Sequence, residues 1–152
     1  DLAPQYEYDE PYKTKGMQLL TYVAFAIVFL LAIFNAFTAK SYEKKHRLIN
    51  LFAMVSLHTQ LLIGLALYFT SAKVQFVDGW MKSALYRFFG MEHLVGMLIA
   101  LVFVTIGHSK SKKATESTAK FKAIKLWYVL ALILILAFIP WPFRTALGGA
   151  WF

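Results

Sequence analysis

The chain contains no cysteine. Thiol catalysis, disulfides, iron–sulfur clusters and thiolate haem ligation are therefore excluded. Charge is scarce as well. Asp, Glu, Lys and Arg make up 16% of the 152 residues, against about 25% in a soluble domain. Acids are the scarcest: there are eight, and Glu92 alone lies inside an apolar run. No acidic cluster suits a divalent metal, and no glycine-rich phosphate loop, HExxH pair or Ser-His-Asp set is present. One intramembrane acid and no interrupted spans argue against a pump or secondary transporter. The absence of an arginine-rich span argues against voltage sensing. Strict apolar–polar alternation is missing too, which excludes a transmembrane β-barrel.

What remains is apolar. Hydrophobic residues reach 59% and the mean hydropathy is +0.57. Four runs stand out, at residues 17–39, 48–69, 88–107 and 124–139. Each approaches the ~20 residues needed to cross about 30 Å of hydrocarbon as a helix. The fourth run is short, but Lys125 can snorkel at one end, and Trp141 and Phe143 continue the apolar character past Pro140. Backbone groups in lipid must bond within their own segment, so these runs are helices. The expected fold is all-α, an integral membrane antiparallel four-helix bundle formed by residues 17–144. Residues 1–16 form a polar arm and residues 145–152 a short apolar tail.

The net charge of +8 invites a nucleic-acid reading, but its distribution points elsewhere. Lys40, Lys44, Lys45 and Arg47 lie in the first link. Lys110, Lys112, Lys113, Lys120, Lys122 and Lys125 lie around the third. Ten of the sixteen basic residues thus flank two short links on one side. The positive-inside rule places links 40–47 and 108–123 in the cytoplasm and both termini outside. Trp80, Trp141 and Trp151 then gather near the outer interface as an aromatic belt. Membrane lipids, anionic ones included, are the expected partners of the basic links, and no nucleic acid is expected. Residues 111–119 read as the most mobile cytoplasmic piece. Asp78–Gly79 marks a turn, and residues 80–89 read as a helical lead-in to the third span. The arm, with four acids and three tyrosines, offers a docking segment on the outer surface.

Two histidines fall inside apolar runs: His58 in the second span and His93 in the third. An ionisable group at this depth costs a few kcal/mol, so it faces a partner, a cavity or a cofactor. Two histidines on neighbouring helices are the minimum that holds a haem iron from both sides. His93 shares its face with Gly90 and Gly96, which leave room for a flat porphyrin or for another helix. His58 has an apolar wall of Leu51, Met54, Val55, Leu61, Leu62 and Leu65. Counted from the span centres, the two ligand levels differ by roughly 9 Å, so a haem between helices two and three is permitted rather than demanded. The plainer alternative is a pair of neutral histidines, each bonded to a neighbouring helix. His46 and His108 form a weaker second pair at the cytoplasmic ends, where histidines are usually solvated. Glu92 has Arg87, Lys82 or a histidine as partners, and could serve a quinone headgroup beside His93. Ser56, Gln60 and Gly64 on helix two, and Asn35 on helix one, read as interhelical glue.

Several segments taken together resemble a known family. They are Ile33-Phe-Asn-Ala-Phe, His58-Thr-Gln-Leu-Leu-Ile-Gly-Leu-Ala-Leu-Tyr-Phe, Arg87-Phe-Phe-Gly-Met-Glu-His93, Ile106-Gly-His108-Ser-Lys and Ile139-Pro-Trp-Pro-Phe. The set resembles small bacterial four-helix membrane proteins classed as cytochrome-b-like, over roughly residues 17–144. The resemblance implies a bacterial cytoplasmic (inner) membrane protein with haem b, matching at His58 and His93 and more weakly at His108. It implies electron transfer within or beside a larger, respiratory-type membrane complex. One departure stands out: where the family places a first-helix histidine and arginine, this chain has Gln18 and Tyr22. The alternative function is a non-catalytic accessory subunit of a membrane complex, with no cofactor.

Overall fold

A computed structural model of the chain describes the backbone of residues 10–148 and the side chains of residues 19–148. Gln18, Trp151 and the whole polar arm lie outside the side chains described. The described residues are helical and contain no strand. Helix α1 spans Glu10–Thr38 and α2 spans Lys44–Thr70. Helix α3 runs Ala84–Lys113 and α4 runs Ser117–Phe138. All four are long and apolar enough to cross a membrane, α1 through its segment Leu19–Thr38.

The helices outrun the apolar runs. Helix α3 continues to Lys113 and α4 starts at Ser117, so only residues 114–116 link them. Six of the nine residues 111–119, expected as a link, are therefore helical. Lys and Ala are good helix formers, and basic side chains in the last turn of α3 oppose the negative end of its dipole. Polarity at these positions marks where the helices leave the hydrocarbon, not where they stop. At the other end of α3 the lead-in is confirmed in a broken form. A single 3-10 turn at Trp80–Lys82 precedes Ala84, and a π turn occupies Phe88–Glu92.

Each helix packs on two others: α1 on α2 and α4, α3 on α2 and α4. The α3–α4 pair is the closest. Helix α3 turns Gly96, Ala100, Val104, Gly107 and Ser111 toward its buried side, a stripe three or four residues apart that forms one helical face. A Cβ added at Gly107 would lie 2.6 Å from Trp127 Cβ. Small residues at this seam are what let the two backbones approach.

The buried residues of α1 are Phe29, Ala32 and Ala36, and those of α2 are His46, Asn50 and Ala53. On these two helices they lie toward the lysine-rich links, called here the basic end. Helix α4 buries Phe121, Ile124, Tyr128 and Ala131, reaching past its middle, and α3 buries Phe88, Gly90 and Gly96 near its start. A polar knot joins α2 and α4 on the basic side. Tyr128 Oη donates to Asn50 O at 2.8 Å, Asn50 Nδ2 donates to Tyr42 Oη at 3.1 Å, and Tyr42 N donates to Ser117 Oγ at 3.0 Å. The Phe29 and Tyr128 rings stack at 5.3 Å.

Toward the opposite end one face of α2 is left unpacked. Gly64 lies eighteen residues after His46, which is five turns and therefore the same bearing on α2. His46 is only 5% exposed, whereas a Cβ on Gly64 would meet nothing within 4 Å. Gly64 thus packs against no neighbouring helix, contrary to its expected role as interhelical glue.

Candidate functional site

The two prolines after α4 create the first feature of this site. In a helix the carbonyl of residue i accepts from the N–H of residue i+4. Pro140 and Pro142 have no N–H, so the carbonyls of Leu136 and Phe138 can have no such donor. Side chains serve both instead. Trp141 Nε1 donates to Leu136 O at 2.8 Å, and His93 Nδ1 lies 2.6 Å from Phe138 O.

That contact decides the chemistry of His93. A carbonyl oxygen can only accept, so Nδ1 carries the proton, and in the neutral ring Nε2 keeps its lone pair. His58 is set in the same way. Its Nδ1 lies 2.8 Å from Met54 O, one turn earlier on α2. Both imidazoles therefore hold their Nδ1 proton on a backbone carbonyl and present a bare Nε2. This is the arrangement in which histidine ligates a metal, with the second nitrogen fixed by an outer partner.

His93 directly follows the π turn, and its own N–H bonds back to Phe88 O. The extra residue of such a turn re-aims the side chains that follow it, and π turns recur at functional sites. The Phe88 and Phe89 rings lie 5.7 and 6.4 Å from the imidazole, centroid to centroid. Tyr68 Oη, near the end of α2, donates to Gly90 O at 2.8 Å. The start of α3 is thus pinned to the ends of both α2 and α4. Arg87 Nε meets Glu92 Oε1 at 2.6 Å, and Arg87 Nη1 donates to Met81 O at 3.0 Å. Of the partners expected for Glu92, Arg87 is the one realised. The Arg144 guanidinium lies 4.9 Å from the centre of the Phe88 ring, and Lys73 lies 5.1 Å from that of Phe89.

Of the two uses expected for the glycines, packing is the one seen. A Cβ on Gly96 would collide with the Phe138 ring, and one on Gly90 would touch Phe76 and Trp80 at 3.4 Å. The room they provide is taken by α4 and by the aromatic cap. Among the described residues no hydrogen bond or ring contact joins His58 to His93. His58 is exposed on the flank of α2, while His93 is half-buried beside α4.

At the basic end, His46 is buried rather than solvated. Its Nδ1 accepts from Glu43 N at 3.0 Å in a capping box at the start of α2. It packs edge-on against Phe121, with centroids 5.3 Å apart. His108 Nδ1 is buried with no hydrogen-bond partner. No group of three His, Cys, Asp or Glu that could hold a metal ion occurs among the described residues.

Sequence reasoning missed Tyr42, Asn50, Tyr68 and Tyr128 and the carbonyl of Phe138. Asn50 carried a signal, being an amide inside an apolar run. Pro142 carried another, because its missing N–H marks Phe138 as an orphan acceptor. Comparison with protein-family models, with curated proteins and with solved structures returns no match.

Proposed function

We propose that the chain is a multi-pass protein of the bacterial cytoplasmic membrane, an antiparallel four-helix bundle with both termini outside. In this reading a b-type haem lies between α2 and α3, with His58 of α2 and His93 of α3 as iron ligands. The observation that carries the proposal is the state of the two rings. Each keeps its Nδ1 proton on a carbonyl, Met54 O at 2.8 Å and Phe138 O at 2.6 Å, and each offers a bare Nε2. An imidazole nitrogen facing lipid with no partner is costly, and ligation removes that cost. The donor chemistry therefore fits haem iron. Gly90 and Gly96 are spent on packing and are not part of the ring's seat.

The bound group would supply one-electron exchange, with a quinol or a larger membrane complex as the other party. The chain's own contribution is to fix the two ligand tautomers. A reduced-minus-oxidised spectrum of protein purified from haem-replete cells tests the reading. The expected result is a low-spin b-type difference spectrum that is lost in both His58→Ala and His93→Ala. A colourless, fully helical preparation overturns it.

A second reading is favoured by a separate observation. The glycine faces are filled by Phe138, Phe76 and Trp80, and His58 bonds only within its own helix. A non-catalytic accessory subunit of a membrane complex, with no cofactor, fits these facts. It predicts co-purification with a larger assembly and no absorbance in the visible range.

A further inference from the structure

We infer that the Pro140-Trp141-Pro142 stop is a positioning device for His93, acting through the carbonyl it orphans. This rests on the reading of His93 as an iron ligand. Helix α4 ends at Phe138, and Ile139 turns into extended backbone. Were the helix to continue, the N–H of residue 142 would bond Phe138 O and residue 140 would bond Leu136 O. Proline at both positions removes both donors at once and also forbids continuation.

The two orphaned acceptors have different uses. Leu136 O is answered by Trp141 Nε1 at 2.8 Å, from within the stop itself. Phe138 O is left for a side chain of another helix, His93 Nδ1 at 2.6 Å. An exposed helix C-terminus carries partial negative charge, which strengthens its hold on an N–H donor. One tautomer is selected as a result, and the ring plane is tied to α4 as well as to its own helix. Gly96, one turn below His93, lets Phe138 come this close, since any Cβ there would collide with the Phe138 ring. The prolines, the glycine and the histidine thus form one device spread over two helices. Its effect is to aim Nε2 away from α4.

The test is a 15N spectrum of histidine-labelled protein in nanodiscs, with His93 assigned by comparison with His93→Gln. In the natural sequence His93 should show a single Nδ1–H tautomer. In Pro140→Ala/Pro142→Ala, where α4 can continue and supply its own donor to Phe138 O, both tautomers should appear. Haem-loaded variant protein should then show a shifted low-spin signature. If the double variant does not fold, Gly96→Ala, whose Cβ would collide with the Phe138 ring, moves Phe138 O away from His93, and a mixture is again expected. A single Nδ1–H tautomer persisting in the folded variant overturns the inference, as does a mixture in the natural sequence. Protein that takes up no haem, yet whose tautomer follows the prolines, defeats the haem reading and leaves the positioning device standing.

Discussion

Replacing Gly107 and Gly64 by alanine, one at a time, tests whether the α3–α4 seam is tight and the Gly64 face of α2 unpacked. The two changes are chemically identical, and both lie within long helices. Taken alone, Gly→Ala favours a helix by about 1 kcal/mol. At Gly64 nothing opposes that gain, because a Cβ meets nothing within 4 Å. At Gly107 the new methyl would sit 2.6 Å from Trp127 Cβ and 3.2 Å from Tyr128 Cδ1. Normal carbon contacts lie at about 3.5–4.0 Å, so the pair is short by roughly 1 Å. Trp127 Cβ is fixed to its backbone, and no rotamer change can move it away. The α3 and α4 backbones must separate instead. Overpacking of this kind costs about 1–3 kcal/mol. Set against the propensity gain, Gly107→Ala should be about 1 kcal/mol less stable than the natural sequence. Gly64→Ala should be neutral or slightly more stable. Reversible unfolding in mixed micelles, followed by far-ultraviolet circular dichroism, measures the difference directly. If Gly107→Ala proves as stable as Gly64→Ala, the close α3–α4 seam is wrong.

Two further outcomes follow from the same geometry. Tyr128→Phe removes the hydroxyl that bonds Asn50 O at 2.8 Å and keeps the ring stacked on Phe29, so a loss of about 1 kcal/mol is expected in the same unfolding assay. Because the chain has no cysteine, single cysteines at Ser41, Thr115 and Val77 report sidedness without background. An impermeant maleimide applied to intact cells should label the Val77 site and spare the other two, and the reverse pattern would invert the proposed orientation.

The number and placement of the helices were legible because hydrocarbon imposes a length and an apolar composition on anything that crosses it. The ends were not. Residues 108–113 and 117–123 are too polar to count as membrane-spanning, yet they are helical, because helix propensity does not depend on lipid. Glu92 could be matched to Arg87 from proximity in the chain. His93 could not be matched to Phe138, since forty-five residues separate them and the partner is a backbone carbonyl that no side-chain pattern reveals. Gly96 was ambiguous for a physical reason. A glycine face makes room without specifying whether a porphyrin or a phenylalanine will use it. His46 was misjudged because its lysine neighbours suggest water, whereas its own bearing on α2 turns it toward Phe121.

The polar knot at the basic end has a consequence for the order of assembly. Asn50 is carried by the second helix and Tyr42 by the link before it, but the groups that complete their bonding, Ser117 and Tyr128, belong to the last helix. A chain halted after three spans would leave the Tyr42 N–H without its acceptor, Ser117 Oγ, and the Asn50 carbonyl without the Tyr128 hydroxyl, next to a seam of small residues with nothing to press against. Insertion of the last helix supplies both bonds and fills that seam in one event. The first hairpin is therefore an unfinished surface until the fourth span arrives, and the knot records that the chain has been inserted to its last span.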